Sequence, residues 1–507
     1  MAKRHAQQRA KLPETRQAPD REASIWWLVG AGVLVLAFFA ALRIGVDQPW
    51  GYDDYYHLGL ARELGQDFPL HAFPWTPFSM LAERYADKEI LFHLLLIPIS
   101  GLPLNTAALI GALLGQAFLI ACVAWFLRSQ RVPGAPVWLL GLAALGPFFI
   151  LRVEQVRPHI WMLGFCALVL GLLFRNARPW VLALVCALFG LTHTAGWVAI
   201  PFAVTWCVAG WLKERQLRFI PILAAAGGWL LGQLVHPNLP NNFWLLWTQN
   251  VVVPLASAGA ETASLKQALG IELQSPTAAW LFEQWPAFLA PILAVALLIR
   301  RPAARTPAAL TATALSLAFM LAGCLLLQRM VEIGAVLGIL AAALAAGESA
   351  RRFRVPAAIL LALAAAWTVW QVRDFGRGDL RPLGNARPVA MARYLGENGR
   401  QGDVVFTAQW ADSAPLFYAA PQLKSLVALD PTFFHAKDPR LFDRYWAIAH
   451  GRSGDPVGEI TRRFGARYVT IWKAPGFRPL ALQLRRDPRR AWIVFEDMGY
   501  EVWELAP

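Results

Sequence analysis

Long apolar runs separated by short polar segments fill the chain up to about residue 372, after which the pattern changes. A bilayer core about 30 Å thick is crossed by about 20 helical residues. The run Ile25 to Ile44 meets that length and follows a polar, basic stretch, residues 1–24. No small-residue cleavage site follows it, so an uncleaved first helix is expected rather than a signal peptide. Further spans are predicted at about Asn105 to Leu127, Val137 to Phe149, Ile160 to Phe174, Trp180 to Leu191, Trp197 to Trp211 and Phe219 to Val235. Four more are predicted at Ala287 to Ile299, 308 to 327, Ala335 to Ala346 and Ala357 to Val372. Leu91 to Leu102 is apolar but short, and reads as a helix in the interface.

Basic clusters order these spans. Arg128 and Arg131, Arg175 and Arg178, Lys213, Arg215 and Arg218, Arg300, Arg301 and Arg305, and Arg351, Arg352 and Arg354 all fall on one side of the alternation. Loops rich in His, Trp and acids fall on the other, as the positive-inside rule requires. The fold class expected is a polytopic α-helical membrane protein of about 11 transmembrane helices, N-terminus inside and C-terminus outside. Two long external loops are predicted, at about 45–103 and 236–286.

From about residue 373 to 507 the apolar runs shorten to strand length. Val404 to Phe406, Val469 to Trp472, Trp492 to Phe495 and Val502-Trp503 read as strands, with helical patterns at Ala390 to Leu395 and Ile460 to Phe464. This predicts a small external α/β domain.

Composition agrees with a membrane protein. Hydrophobic residues make up 57% and charged residues 16% of the 507, against about a quarter charged in soluble domains. The net charge of +14 comes from the loop clusters, and no basic patch carries interleaved base-stacking aromatics, so nucleic-acid binding is excluded. Cys122, Cys166, Cys186, Cys207 and Cys324 lie within apolar runs without metal-ligand or redox spacing, and read as small apolar core residues.

The chemistry concentrates just after the first span, in Tyr52-Asp53-Asp54-Tyr55-Tyr56-His57. A carboxylate there can activate an acceptor or hold a divalent metal, Mg or Mn. Tyr56 and His57 lie within a helical turn of Asp53. The bland alternative is a solvated loop with interfacial tyrosines. Asp87 and His93, further along the loop, either face the same pocket or lie on the surface. The segment Phe73 to Phe78 either seats a lipid chain or makes an interfacial turn.

Arg152, Glu154, Arg157 and His159 form a second cluster at a span end, where charge is costly unless paired or used. Arginine forks suit phosphate, while a Glu154–Arg157 ion pair is the structural alternative. His193 and His236 lie at other external span ends, as phosphate ligands or helix caps. Arg329 and Glu332 form either a structural pair or a means of aiming Arg329 at a lipid phosphate. The second loop, with Glu261, Glu272, Glu283, Trp244, Trp247 and Trp285, is long enough to act as a lid.

These residues and their order resemble the GT-C superfamily of membrane glycosyltransferases, and distantly the catalytic subunit of oligosaccharyltransferase. That subunit carries an Asp-Xaa-Tyr-Tyr-His-type motif in its first external loop, matched by Asp53, Tyr55, Tyr56 and His57, with Asp54 at the free position. The resemblance implies that Asp53 is the catalytic or metal-holding acid; Asp54, His57 and Glu154 are the further catalytic candidates read from the residues themselves. It also implies a sugar donor on a polyprenyl phosphate or pyrophosphate. Residues 147–159 occupy the place of that family's second external loop. Gln409-Trp410-Ala411-Asp412-Ser413 stands where the family has a Trp-Trp-Asp-Tyr-Gly motif that reads the serine or threonine of a protein acceptor. Trp410 and Asp412 are the candidates carried over for acceptor binding. The expected activity is therefore transfer of a sugar from a polyprenyl-(pyro)phosphate donor to a glycan, lipid or protein acceptor outside a bacterial inner membrane. Any metal would lie on Asp53 and Glu154. The alternatives are a true oligosaccharyltransferase, a lipid or solute transporter, and a non-catalytic envelope-assembly protein. A transporter commonly shows internal repeats, and none is evident.

Overall fold

The computed structural model describes residues 25–44, 46, 48–215, 217–253, 255, 263–347, 354–377, 388–427 and 430–506. The basic tail 1–24, Glu261, Arg351, Arg352 and Leu429 lie outside them.

Helices dominate as far as residue 377. In order they are α1 (Ile25–Leu42), α2 (Tyr52–Gln66), α3 (Ile90–Leu96), α4 (Leu104–Ser129), α5 (Ala135–Leu140), α6 (Pro147–Val153), α7 (Pro158–Phe174), α8 (Pro179–Thr192), α9 (Ala199–Glu214), α10 (Ile220–Leu234) and α11 (Asn241–Trp247). The helices Trp285–Arg300, Pro307–Leu325, Met330–Ala346 and Arg354–Arg377 follow. Among the described residues, four helical stretches, Ile25–Leu42, Leu104–Ser129, Thr194–Glu214 and Pro307–Leu325, are long and apolar enough to cross a membrane. The remaining apolar helices on the expected spans are shorter or bent. Trp26, Trp27, Leu34, Ile220, Leu223, Ile292, Ile299 and Leu321 leave large apolar side chains exposed, a surface that suits lipid rather than water. These helices fit a multi-pass membrane protein.

Small residues let the helices approach closely. A Cβ added at Gly228 of α10 would lie 2.1 Å from the Ala183 carbonyl oxygen of α8, so these backbones touch as small-residue membrane interfaces do.

The expected straight span Val137 to Phe149 is instead broken. Residues 135–144 and α6 meet at 91°. Gly146 at the break has φ +102, a conformation only glycine adopts cheaply, and Pro147 starts the next helix at a position where its missing N–H costs nothing. The bend redirects α6, whose last turn carries Arg152.

At the C-terminal end, β1 (Val404–Thr407), β2 (Lys424–Ser425), β3 (Ala466–Trp472), β4 (Ala491–Glu496) and β5 (Tyr500–Leu505) form one sheet in the order β2-β1-β3-β5-β4. β1 runs parallel to β2 and β3, and β5 antiparallel to β3 and β4. Phe406, Val469, Ile471 and Trp503 pack with Tyr445, Ile460 and Phe464 in one buried cluster. Val405, Tyr468, Tyr500 and Val502 share another with Met391 and Leu395. The sheet therefore carries helices on both faces, which gives it an apolar core without disulfides.

The first long loop is the seat of this α/β unit. Trp75 Nε1 donates to the Pro421 carbonyl (2.8 Å), and Arg62 donates to the Tyr418 carbonyl (2.5 Å). Phe73 is buried among Tyr56, Trp75, Tyr85 and Phe417, and Phe78 packs on Phe434 and Phe464. The aromatic segment thus makes its turns as packing within the chain, in place of the expected lipid seat or free interfacial turn. Two turns, closed by Thr76 N–H to the Phe73 carbonyl and Ser79 N–H to the Thr76 carbonyl, bring its large rings against the α/β unit.

Candidate active site

α2 starts where the first loop meets the helical body. Gly51 is its N-cap, and Asp54, at the third helical position, accepts the Gly51 N–H (3.3 Å) in a capping box. Asp54 Oδ2 also accepts from Trp50 N (2.9 Å), and Oδ1 from Val156 N (2.5 Å). Asp54 is fully buried, and burial pushes its pKa up to about 6. The expected catalytic role for Asp54 meets a different geometry: its oxygens are committed to backbone donors that tie α2 to the 154–157 turn.

Asp53 points the other way and closes an ion pair with Arg157, the N-cap of α7. Arg157 Nη1 also donates to Glu272 Oε2 (3.0 Å), and Glu272 pairs with Arg152. Arg152 Nε lies 2.5 Å from Glu332 Oε1 in the first turn of the Met330–Ala346 helix. His159 Nε2 is 3.6 Å from Glu332 Oε2. His159 is 4% exposed and neither ring nitrogen has a hydrogen-bond partner. Arg329, the N-cap of that last helix, donates its backbone N–H to the Glu272 carbonyl (3.2 Å) and lies within electrostatic reach of Asp430, Arg157 and Glu332. His193 caps the turn after α8 by accepting the Ala195 N–H (2.9 Å), within electrostatic reach of Arg329, Arg152 and Arg157.

Four separate segments thus deliver alternating charges to one place. Buried ion pairs repay their desolvation poorly, and charges at the ends of membrane helices mark functional sites by default. Sequence reasoning missed the central position of Glu272, grouping it only with the lid acids.

Glu154 is turned away from this cluster. It pairs with Arg43 at the end of α1 (Nε to Oε2, 2.9 Å) and lies 3.4 Å from Gln116 Nε2. The Glu154–Arg157 pair considered from sequence is replaced by Glu154–Arg43 and Arg157–Asp53. Asp53 and Glu154 are each neutralised by a different arginine, so they form no two-acid cradle for a divalent ion. Their donor set does not fit a shared metal there.

Asp87 and His93 face inward, buried behind α2. His93 Nδ1 is 2.8 Å from both Asp87 oxygens, and His93 Nε2 is 2.7 Å from His57 Nδ1. A Glu89 carboxylate oxygen lies within 4.8 Å of these ring nitrogens. His236 donates through Nε2 to the Asp87 carbonyl (2.9 Å) and accepts from Asn238 N (3.1 Å), so it braces the loop rather than facing the arginine cluster. Tyr55 and Tyr56 are packed in the buried aromatic cluster between the first loop and Phe417, without a face on the arginines.

Trp410 packs on the core of the α/β unit. Asp412 is fully buried, accepting from Tyr500 (2.7 Å) and Tyr52 (3.3 Å), and burial pushes it up to about 7. Trp410 is half-buried, while Asp412 has no open surface to offer an acceptor. Asp412 instead joins the α/β unit to the residue preceding Asp53.

No protein-family model matches the sequence, and no curated protein does. Solved structures do match in fold. AglB, the oligosaccharyltransferase of Archaeoglobus fulgidus in complex with an inhibitory peptide and a dolichol-phosphate, gives a TM-score of 0.62 at 12% identity, over 95% of this chain and 74% of that one. ArnT from Cupriavidus metallidurans, bound to undecaprenyl phosphate, gives 0.57 at 14% identity, over 95% and 98%. The arabinofuranosyltransferase AftD from Mycobacteria gives 0.53 at 17% identity, over 96% of this chain and 40% of its own. With its helical body, C-terminal sheet and these three likenesses, the chain has the fold of the GT-C superfamily of glycosyltransferases, distantly resembling oligosaccharyltransferase.

Proposed function

We propose that the protein is a membrane glycosyltransferase that takes a sugar from a polyprenyl-phosphate carrier and transfers it to an acceptor on the external face of a bacterial inner membrane. The N-terminus would lie inside and the α/β unit outside. The observation that carries the reading is the carboxylate of Glu272 held between Arg152 and Arg157, next to Asp53. A carboxylate between two guanidinium forks occupies the position a phosphate would take. ArnT bound to undecaprenyl phosphate and AglB bound to a dolichol-phosphate support lipid phosphate as the ligand class.

In this mechanism the donor enters from the bilayer and its phosphate displaces Glu272, with Arg329 adding charge. An acceptor hydroxyl attacks the anomeric carbon. The new C–O bond forms as the bond to the phosphate oxygen breaks. The polyprenyl phosphate leaves with the electron pair, stabilised by Arg152 and Arg157. Asp53 takes the acceptor's proton, oriented for it by Arg157. His159, whose ring nitrogens have no partners among the described residues, offers the sugar or phosphate a hydrogen bond.

Burial of Asp412, hydrogen-bonded to Tyr500 and Tyr52, favours a lipid or glycan acceptor over a protein sequon. The test is transfer from a radiolabelled pool of polyprenyl-phosphate sugars into lipid and glycan fractions, comparing wild type with Asp53→Asn. Labelled product with wild type alone is expected. Equal product from both contradicts the assignment of Asp53.

A further inference from the structure

We infer that His57, His93 and Glu89 form a binding site for a divalent transition metal of the zinc class, separate from the arginine cluster. The three side chains are 3%, 0% and 3% exposed, and one ligand atom from each lies within 4.8 Å of the others. His57 comes from α2, His93 from α3 and Glu89 from the residue capping α3.

The tautomer of His93 suits a metal. Both oxygens of Asp87 sit 2.8 Å from His93 Nδ1, so that nitrogen carries the proton and Nε2 keeps its lone pair. A carboxylate behind a ligating histidine is the usual outer partner of such sites, and it raises the basicity of the ligand. Nε2 of His93 then accepts from Nδ1 of His57 at 2.7 Å, and a metal between them would take the place of that proton, leaving His57 protonated on Nε2. Among the described residues, Glu89 Oε2 is buried with no hydrogen-bond partner, and Oε1 lies 3.9 Å from Lys88 Nζ. An unpartnered carboxylate oxygen in an enclosed site is costly unless a cation or donor satisfies it. Tetrahedral coordination at about 2.0–2.1 Å would hold two ligand nitrogens roughly 3.3 Å apart. The two rings need to part by only a few tenths of an ångström. Two imidazoles and one carboxylate select zinc-like ions over Mg or Mn. Bound there, the ion would clip α3 to α2, whose first turn carries Asp53.

The test uses the full chain purified in detergent, loaded with zinc alone and passed over a chelating resin, with metal counted by mass spectrometry. About one zinc per chain is expected, falling at least tenfold in His93→Gln and Glu89→Gln. Asp53→Asn should retain its zinc, so loss of transfer and loss of metal separate. Cobalt(II) loaded into wild type should show the intense visible bands of a tetrahedral site, a readout independent of whether the variants fold. Sub-stoichiometric zinc in wild type, zinc at the wild-type level in both triad variants, zinc lost in Asp53→Asn, or an octahedral cobalt spectrum would each overturn the site.

Discussion

The Arg157 guanidinium closes on the Asp53 carboxylate, joining the first turn of α2 to the cap of α7. This pair fixes Asp53, the base in the proposed mechanism, against a residue that also holds Glu272. Replacing Asp53 with Asn keeps the shape of the side chain and removes both the base and the charge. Transfer is expected to fall by roughly 10²–10⁴-fold, with elution from gel filtration unchanged. Retained turnover in a radiolabel assay counts against Asp53 as the base.

Glu272 neutralises Arg152 and Arg157, the arginines proposed to hold the donor phosphate. Glu272→Gln removes the competing charge without opening a cavity. The variant is expected to bind undecaprenyl phosphate about five-fold or more tighter, since couplings of this kind run to about 1–3 kcal/mol. Titration by intrinsic tryptophan fluorescence measures the shift. Weaker binding instead assigns Glu272 to donor recognition.

Arg157→Lys keeps the charge and loses the planar fork that reaches Asp53 and Glu272 together. A bidentate role predicts a loss of at least tenfold in transfer, because lysine cannot reproduce the geometry. If Arg157 acts as charge alone, the lysine variant will turn over normally.

Asp412 is held well above its ordinary pKa, at about 7, because burial disfavours its charge. A raised native pKa stabilises the fold fully below the unfolded value near 4, and that contribution is lost as pH rises through about 7. Asp412→Asn keeps an acceptor for Tyr500 and Tyr52 and removes the charge. Its melting temperature at pH 8 is expected to exceed wild type by a few degrees or more, with a flatter profile between about pH 4 and 7. Light-scattering melts at stepped pH read this directly. An unchanged profile contradicts a buried, titrating Asp412.

Much of the architecture was legible from periodicity. Long apolar runs found their helices, and Val469 to Trp472 and Trp492 to Phe495 fell within β3 and β4, because both signals are local. The two-residue β2 is too short to leave a pattern. The bend at Gly146-Pro147 carried a local signal that hydrophobicity alone overrode. The site was half legible. Asp53, Arg152, Arg157, His159, Arg329 and Glu332 do gather, because charge at span ends is rarely idle. Which acid meets which arginine was not legible. Arg43 takes Glu154 and Glu272 takes both cluster arginines, pairings set by helix packing between distant segments. Asp54 likewise stands beside Asp53 in sequence yet faces backbone donors, because adjacent helical positions point about 100° apart.

The most direct measurement of the central claim is a structure of the full chain in lipid nanodiscs with undecaprenyl phosphate. The phosphate is expected between Arg152 and Arg157, with Glu272 withdrawn and Asp53 still on Arg157. Density for the phosphate elsewhere, with Glu272 still bridging the two arginines, contradicts the account.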